Sequence, residues 1–424
     1  EKTVMTQDSL VCKAYELAKE RYQAFGVDAD AVVEKLAQIP ISVQCWQGDD
    51  IGGYEKRDGA AGGGILATGN YPGKARTADE LRQDVDKLME LVGGKLRFAL
   101  HAIYLEADHP VDRREIKPEH FANWTSWAKE RGIGLDFNPT FFAHPMADEG
   151  FTLSSPKEEV RKFWIDHAKA CRVICDNFGR ELGTPCVMNT WIPDGFKDIP
   201  VDRRGARARL KDSLDQIFAV EYSKKNLLDS VECKLFGIGM ESCTVGSHEF
   251  YMNYAKEHNL MLTIDSGHFH PTEQISDKIS SILLFFPEML LHISRPIRWD
   301  SDHVVIFDDE LQYIANETIR NDVSRIHIGM DYFDATINRL AAWAIGYRNI
   351  QKALCKAMLE PFAQLRDMEL AGDYTGRLAV SEELKAMPWQ AVFDFFCLKN
   401  GVPVGNDMLA VIRDYEKNVQ LKRV

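Results

Sequence analysis

No stretch of this chain approaches the roughly 18 consecutive apolar residues that a membrane-spanning helix needs, and the N-terminal segment EKTVMTQDSLVCKAYELAKE lacks the apolar core of a signal peptide. The expectation is a soluble, cytoplasmic protein with no membrane partner. A basic block is also missing. Net charge is −13, which argues against nucleic acid and against anionic lipid. Paired cysteines of zinc-site type are absent. The nine cysteines, Cys12, Cys45, Cys171, Cys175, Cys186, Cys233, Cys243, Cys355 and Cys397, are odd in number and scattered. They read as buried free thiols in a reducing compartment, and they exclude a structural zinc of the usual kind. There is no low-complexity segment, short repeat or long linker. The glycine-rich GGGILATGNYPGK, residues 62–74, lacks the GKS/T ending and helix placement of a phosphate-binding loop. With WQGDD, residues 46–50, it reads as an active-site or interface loop.

What is present is a repeat of type: a short apolar run, a turn, an amphipathic helix. The runs are ISVQCW (41–46), RFALHAIYL (97–105), GIGLDFN (132–138), CVMNTWI (186–192), SVECKLFGI (230–238), LMLTID (260–265), LLLHISRPI (290–297) and RIHIGMDYF (325–333). Several are apolar on both parities, as strands covered on both faces are. Helices fill the gaps. Thr77-Ala-Asp-Glu80 is a capping box before Leu81, Val85, Leu88 and Leu91. Ser155-Pro156-Lys-Glu158 offers a cap, a proline at the first helical position and an acid at the third. Residues 272–286 and 309–320 supply two more helices. Eight such units predict an α/β fold of (β/α)8-barrel type, with an open doubly wound sheet as the alternative. The predicted division is a helical segment over 1–40, the barrel over 41–334, and a helical extension for subunit packing over 335–424.

In a barrel, chemistry sits at the C-terminal ends of the strands. The second strand is expected to end near His101, the third at Asp136 and the fourth at Trp191. Glu232 and Lys234 lie two apart on the fifth and so share a side. Asp265 ends the sixth, with His268 beyond it. His292 lies in the seventh, followed by Asp300 and Asp302, and Asp331 ends the eighth. Five carboxylates, Glu232, Asp265, Asp300, Asp302 and Asp331, cannot share one quadrant unpaired. Lys234 is the one obvious local cation. Two divalent cations supply enough charge, and carboxylate with imidazole suits Mn2+, Mg2+ or Co2+.

Each residue also has a plainer reading. A strand-end aspartate caps a helix, His292 or His101 packs as a core histidine, Asp300 and Asp302 form a turn, and Lys234 is a structural ion-pair partner. His270 and His303 have the opposite parity and read as supporting or surface residues. The aromatics Trp46, Phe137, Trp191 and Phe333 suit a sugar site at a barrel mouth, or plain core. The coincidence on four successive strand ends favours the metal reading.

The motifs WQGDD, TGNYPGKART, LHAIYLE, GLDFNPT, WIPDG, VE-x-KLFGIG-x-ES-x-TVGS, D-x-GHFHPTE-x-ISDKIS, SRPIRWDSDHVV and FDA-x-INR together resemble the L-rhamnose isomerase family, over nearly the whole chain. The resemblance implies a homotetrameric, metal-dependent aldose–ketose isomerase of rhamnose catabolism. It implies one metal on Glu232, Asp265, His292 and Asp331, and a second on His268, Asp300 and Asp302, with Asp265 bridging. Mn2+ is the expected ion. Lys234, Asp302, His101 and Asp331 are the catalytic candidates, and His101, Trp191, Lys234, His268 and Phe137 the substrate-binding ones. L-Rhamnose is the expected substrate, with L-mannose or L-lyxose as further candidates. Ser266, where alanine is expected, and Thr190 depart from the pattern without touching a ligand position. A metal-assisted hydride shift is the expected route, with an enediol as the alternative. Other readings of the residues alone are a two-metal hydrolase, an aldolase or epimerase, and a non-catalytic sugar-binding protein.

Overall fold

The computed structural model describes residues 6–56, 67, 69–234, 241–297 and 302–423. Each of the eight apolar runs overlaps a strand: β1 Ile41–Gln44, β2 Leu96–His101, β3 Leu135–Asn138, β4 Cys186–Thr190, β5 Leu227–Glu232, β6 Met261–Asp265, β7 Met289–Ile293 and β8 Ile326–Met330; β5 starts three residues before its run, whose end at 235–238 lies outside the described residues. Every neighbouring pair is parallel, and β1 pairs with both β2 and β8, so the sheet closes on itself. The barrel expectation holds and the open sheet does not.

Alternation along each strand builds the two layers. One parity faces the helices: Phe98 lies against Trp124 and Trp127, and Phe137 against Phe121 and Phe178. The other parity faces the barrel axis. There Val187, Leu228, Met261 and Leu290 form an apolar floor. Beside them Arg97 pairs with Asp136 at 2.8 Å, and Asp136 also accepts from the Ser42 hydroxyl and the Val187 amide. Above this floor the inward positions turn polar: Asn189, Ser230, Thr263 and His292. Glu232, Asp265 and Asp331 come last, at the C-terminal rim.

The helices follow the sequence pattern with instructive exceptions. Thr77 caps the helix Ala78–Met89 by accepting from the Glu80 amide, as the capping box requires. The helix expected from Ser155-Pro156 instead starts two residues later, spanning Glu158–Leu182, and Ser155 Oγ holds the preceding turn through the Lys157 amide. The helix expected over 272–286 is confined to Ser276–Leu283. Its N-terminal amides, Ile275 and Ser276, are met by the Glu310 carboxylate from the next helix, Asp309–Arg320.

The helix Arg339–Met358, assigned to the extension by the sequence, packs as the barrel's eighth helix, against Asp309–Arg320 on one side and Ala78–Met89 on the other. Trp343 anchors it by donating from Nε1 to the Gln44 carbonyl. Its breadth of apolar surface reflects burial in the barrel wall. The appended helices therefore begin at Phe362. The N-terminal helix Gln7–Gln23 packs on one of them, Trp389–Lys399, with Tyr15 and Phe395 stacked at 3.8 Å.

Candidate active site

Three strand ends and one mid-strand position converge at the rim. One potential ligand atom from each of Glu232, Asp265, His292 and Asp331 lies within 4.8 Å of the others, and all four residues are buried. Register explains this. Asp265 lies directly beside His292 across β6 and β7, and His292 beside Gly329 across β7 and β8. Inward parity does the rest. His292 Nδ1 stands 2.9 Å from Glu232 Oε1, 3.2 Å from Asp331 Oδ2 and 3.7 Å from Asp265 Oδ2. His268 flanks the group, 3.7 Å from Glu232 and 4.0 Å from Asp265.

The surroundings aim these side chains. Glu232 Oε2 accepts from the Asn189 amide at 2.7 Å. Asn189 Oδ1 in turn accepts from the Thr263 hydroxyl, which lies 2.6 Å from that of Ser230. Asp265 Oδ1 accepts from the Gly267 amide. Ser266, where the resemblance implies alanine, donates its amide to the His292 carbonyl, and its hydroxyl bridges to both Ser294 backbone groups. It therefore ties β6 to β7 beside the cluster, a backbone contact the sequence did not reveal.

Electrostatics follow from the crowding. Burial works to raise the Glu232 carboxyl, but His292, His268 and the Asn189 amide outweigh it and hold it at about 2. Burial opposes charge on His292, yet Glu232 and Asp331 hold its imidazolium well above the usual range. Burial pushes Asp331 up, and its Oδ1 has no hydrogen-bond partner among the described residues. Three carboxylates around one imidazole call for positive charge. Hard oxygen donors with one nitrogen are a donor set for a divalent cation, so the residues fit the metal that the sequence implies.

The second position is less complete. Asp300 lies outside the described residues. Asp302 is half-buried with φ +46°, in the left-handed region that aspartate tolerates, and its carbonyl accepts from the Phe333 amide.

Lys234 has a partner that the sequence did not suggest. Its Nζ donates to Glu241 Oε1 at 2.6 Å and to the Pro193 carbonyl at 2.7 Å. It neutralises Glu241 rather than balancing the four-residue cluster. With Trp191, Phe142 and Phe196 it lines an open cavity of about 860 Å3 beside the mouth.

An aromatic arc borders the same face. Trp46 stacks on His101 at 4.3 Å and meets Phe333 edge-on at 5.5 Å. Phe142 lies 6.0 Å from His101 and 6.3 Å from Trp191. Phe142 was missed because it follows the third run as an ordinary loop residue. Burial holds His101 neutral, with its pKa down at about 3. His101 Nε2, Trp46 Nε1 and Trp191 Nε1 are buried and find no hydrogen-bond partner among the described residues. Phe137 is a correction. It is on the wrong parity for the mouth and is fully buried against Phe121 and Phe178, so it is core. His270 lies exposed beside Thr272, and His303 Nδ1 stands 3.8 Å from Asp334 Oδ2, both outside the cluster.

A (β/α)8 barrel with a buried carboxylate–imidazole cluster at the C-terminal ends of its strands defines a barrel enzyme with a candidate divalent-metal centre. Comparison with known proteins is more specific. The family model described as L-rhamnose isomerase (RhaA) matches residues 9–423. The L-rhamnose isomerase of Cronobacter sakazakii is 57% identical over 408 residues, 96% of this chain and 98% of that protein. That of Escherichia coli (strain K12) is 55% identical over 412 residues, 97% of this chain and 98% of that protein. Among solved structures, a D-psicose 3-epimerase with D-tagatose from Clostridium cellulolyticum H10 is 12% identical, with a TM-score of 0.48 over 76% of this chain and 99% of that one. The chain belongs to the L-rhamnose isomerase family.

Proposed function

We propose that this chain interconverts L-rhamnose and L-rhamnulose, within rhamnose catabolism, at the rim of its barrel. The observation that carries the reading is the convergence of Glu232, Asp265, His292 and Asp331 within 4.8 Å, in a chain of this family. These four residues would hold one divalent cation, with Mn2+ as the ion and Co2+ or Mg2+ as substitutes. His268, Asp300 and Asp302 would hold a second, sharing Asp265. Bound there, the cations supply Lewis acidity toward the oxygens on C1 and C2 of the open-chain sugar. L-Mannose and L-lyxose are further substrates. The assembly is a homotetramer and the compartment the cytoplasm, a reading that nine free cysteines support.

The protein's own groups then divide the work. His101, held neutral, accepts a hydrogen bond from a sugar hydroxyl and guides ring opening. Trp191 covers a sugar face, and its Nε1 offers a donor. His268 contacts substrate from beside the ligands. Lys234 leaves Glu241 to donate to the carbonyl oxygen. The Asp331 carboxylate orients the reacting hydroxyls, and Asp302 manages the proton that passes from one oxygen to the other. The carboxylates gathered at the cluster act as ligands, so none serves as the carbon base that an enediol requires. A direct hydride shift between C1 and C2 follows.

Turnover in D2O is expected to leave C1 of the product free of solvent deuterium by NMR. Stoichiometric label there would reverse the choice of route. Asp302→Asn is expected to lose one metal per subunit and most of kcat while the fold survives. Full metal content with full activity would remove the second position.

A further inference from the structure

Beneath the four-residue cluster the barrel axis holds a small chamber of about 30 Å3, walled by both polar and apolar side chains. That exceeds the roughly 10–15 Å3 that one water molecule needs. Gln44, Asn138, Asn189, His292 and Gly329 are among its walls. Gln44 is 4% exposed, and its Oε1 has no hydrogen-bond partner among the described residues. Buried amide oxygens are nearly always met by a protein group or an ordered water. His292 makes its contacts with Glu232, Asp265 and Asp331 through Nδ1. Its opposite edge faces Gly329, where a methyl group would lie 3.0 Å from Cδ2 and 3.5 Å from Nε2. The ring's second nitrogen is therefore on the chamber side, in space that only glycine leaves open.

We propose that one water in this chamber accepts a hydrogen bond from His292 Nε2–H and donates one to Gln44 Oε1. Gln44 is thereby a positioning residue for the metal ligand. The inference rests on reading Glu232, Asp265, His292 and Asp331 as a metal site. A ligating imidazole must present a bare nitrogen, so its one proton belongs on the other. Metal-bound histidines almost always give that N–H to an acceptor, which fixes tautomer and ring angle. At His292 the acceptor is a water, and Gln44 on β1 holds it from across the barrel wall.

Calorimetric titration of the chelator-stripped full chain with Mn2+ tests this. Gln44→Leu and, as a second variant, Gln44→Met are expected to bind Mn2+ about tenfold or more weakly. Their metal-free melting temperatures are expected to stay at or above that of the unmodified protein. This split between affinity and stability is one that a merely structural glutamine would not produce. Gly329→Ala, pressing on the ring and filling the chamber's edge, is expected to weaken Mn2+ binding as well. Equal affinity in the unmodified protein and both Gln44 variants overturns the proposal and leaves the metal site standing. No Mn2+ uptake by the unmodified protein overturns the metal site and the proposal together.

Discussion

Asn189 is the residue through which the protein's influence on its candidate metal can be measured most cleanly. Its amide donates to Glu232 Oε2 at 2.7 Å, and its carbonyl accepts from Thr263 Oγ1 at 2.8 Å. Asn189→Leu keeps the branching and volume but removes both bonds. A hydrogen bond to a charged partner contributes about 1.5–3 kcal/mol. At about 1.4 kcal/mol per tenfold in affinity, losing it should weaken Mn2+ binding roughly 10–100-fold, the range typical for groups that orient ligands. The effect on folding should be far smaller. In the stripped protein Glu232 keeps the His292 imidazolium at 2.9 Å and Thr263 keeps the Ser230 hydroxyl at 2.6 Å, so these partners offset much of the loss and stability should fall by only about 1 kcal/mol. For 424 residues, with an unfolding entropy of about 2.1 cal/mol/K per residue, that is a melting shift of only ~1 °C. Isothermal titration with Mn2+ and thermal melts of stripped protein read the two quantities separately. An Mn2+ dissociation constant within threefold of the unmodified value would refute the reasoning, as would a loss shared equally between affinity and metal-free stability.

Two further outcomes follow from the same geometry. Arg97→Met strands Asp136 in the barrel floor, and breaking a buried pair in this way costs about 3–5 kcal/mol, or a melting drop of roughly 3–6 °C near neutral pH. In the unmodified protein burial works to raise Asp136, but Arg97 holds it below the usual carboxylate range. Its pairing therefore stabilises above the unfolded pKa of about 3.9 and is lost as pH falls through the lower folded value. Without Arg97 burial prevails and the folded pKa rises, so the penalty should be full at neutral pH and shrink towards pH 4. A difference constant between pH 4 and pH 7 would contradict this. Glu241→Gln removes the charge that holds Lys234 Nζ and is expected to change KM and kcat for L-rhamnose at least severalfold while Mn2+ affinity stays fixed. Unchanged kinetics would separate Lys234 from the reaction.

The strands and the residues that converge at the rim were legible because a buried parallel strand leaves a continuous apolar run, and because a carboxylate at the end of such a run is conspicuous. Position near strand ends put Glu232, Asp265, His292 and Asp331, with His268, Asp300 and Asp302, on one barrel face, and the family resemblance singled out the first four as a set. What escaped depends on contacts far apart in sequence. Lys234 is answered by Glu241, on another loop segment. The start of the helix at Ser276 is set by Glu310, 34 residues on. Phe137 looked like a mouth aromatic because strand ends are uncertain by a residue or two, and one residue's shift turns a side chain from the axis to the helices. The helix Arg339–Met358 looked appended because burial in a barrel wall and burial in a subunit interface leave the same apolar pattern. The orienting set of Asn189, Thr263 and Ser230 is spread over three strands, and nothing local marks it.

The most direct test is a ketose assay on chelator-stripped protein with L-rhamnose, before and after Mn2+ is restored. Ketose that forms only with Mn2+ is the expected result and would establish reaction, substrate and metal dependence together. Equal ketose formation by the stripped protein, or none with Mn2+ restored, would contradict the assignment of Glu232, Asp265, His292 and Asp331 as the metal centre of an L-rhamnose isomerase.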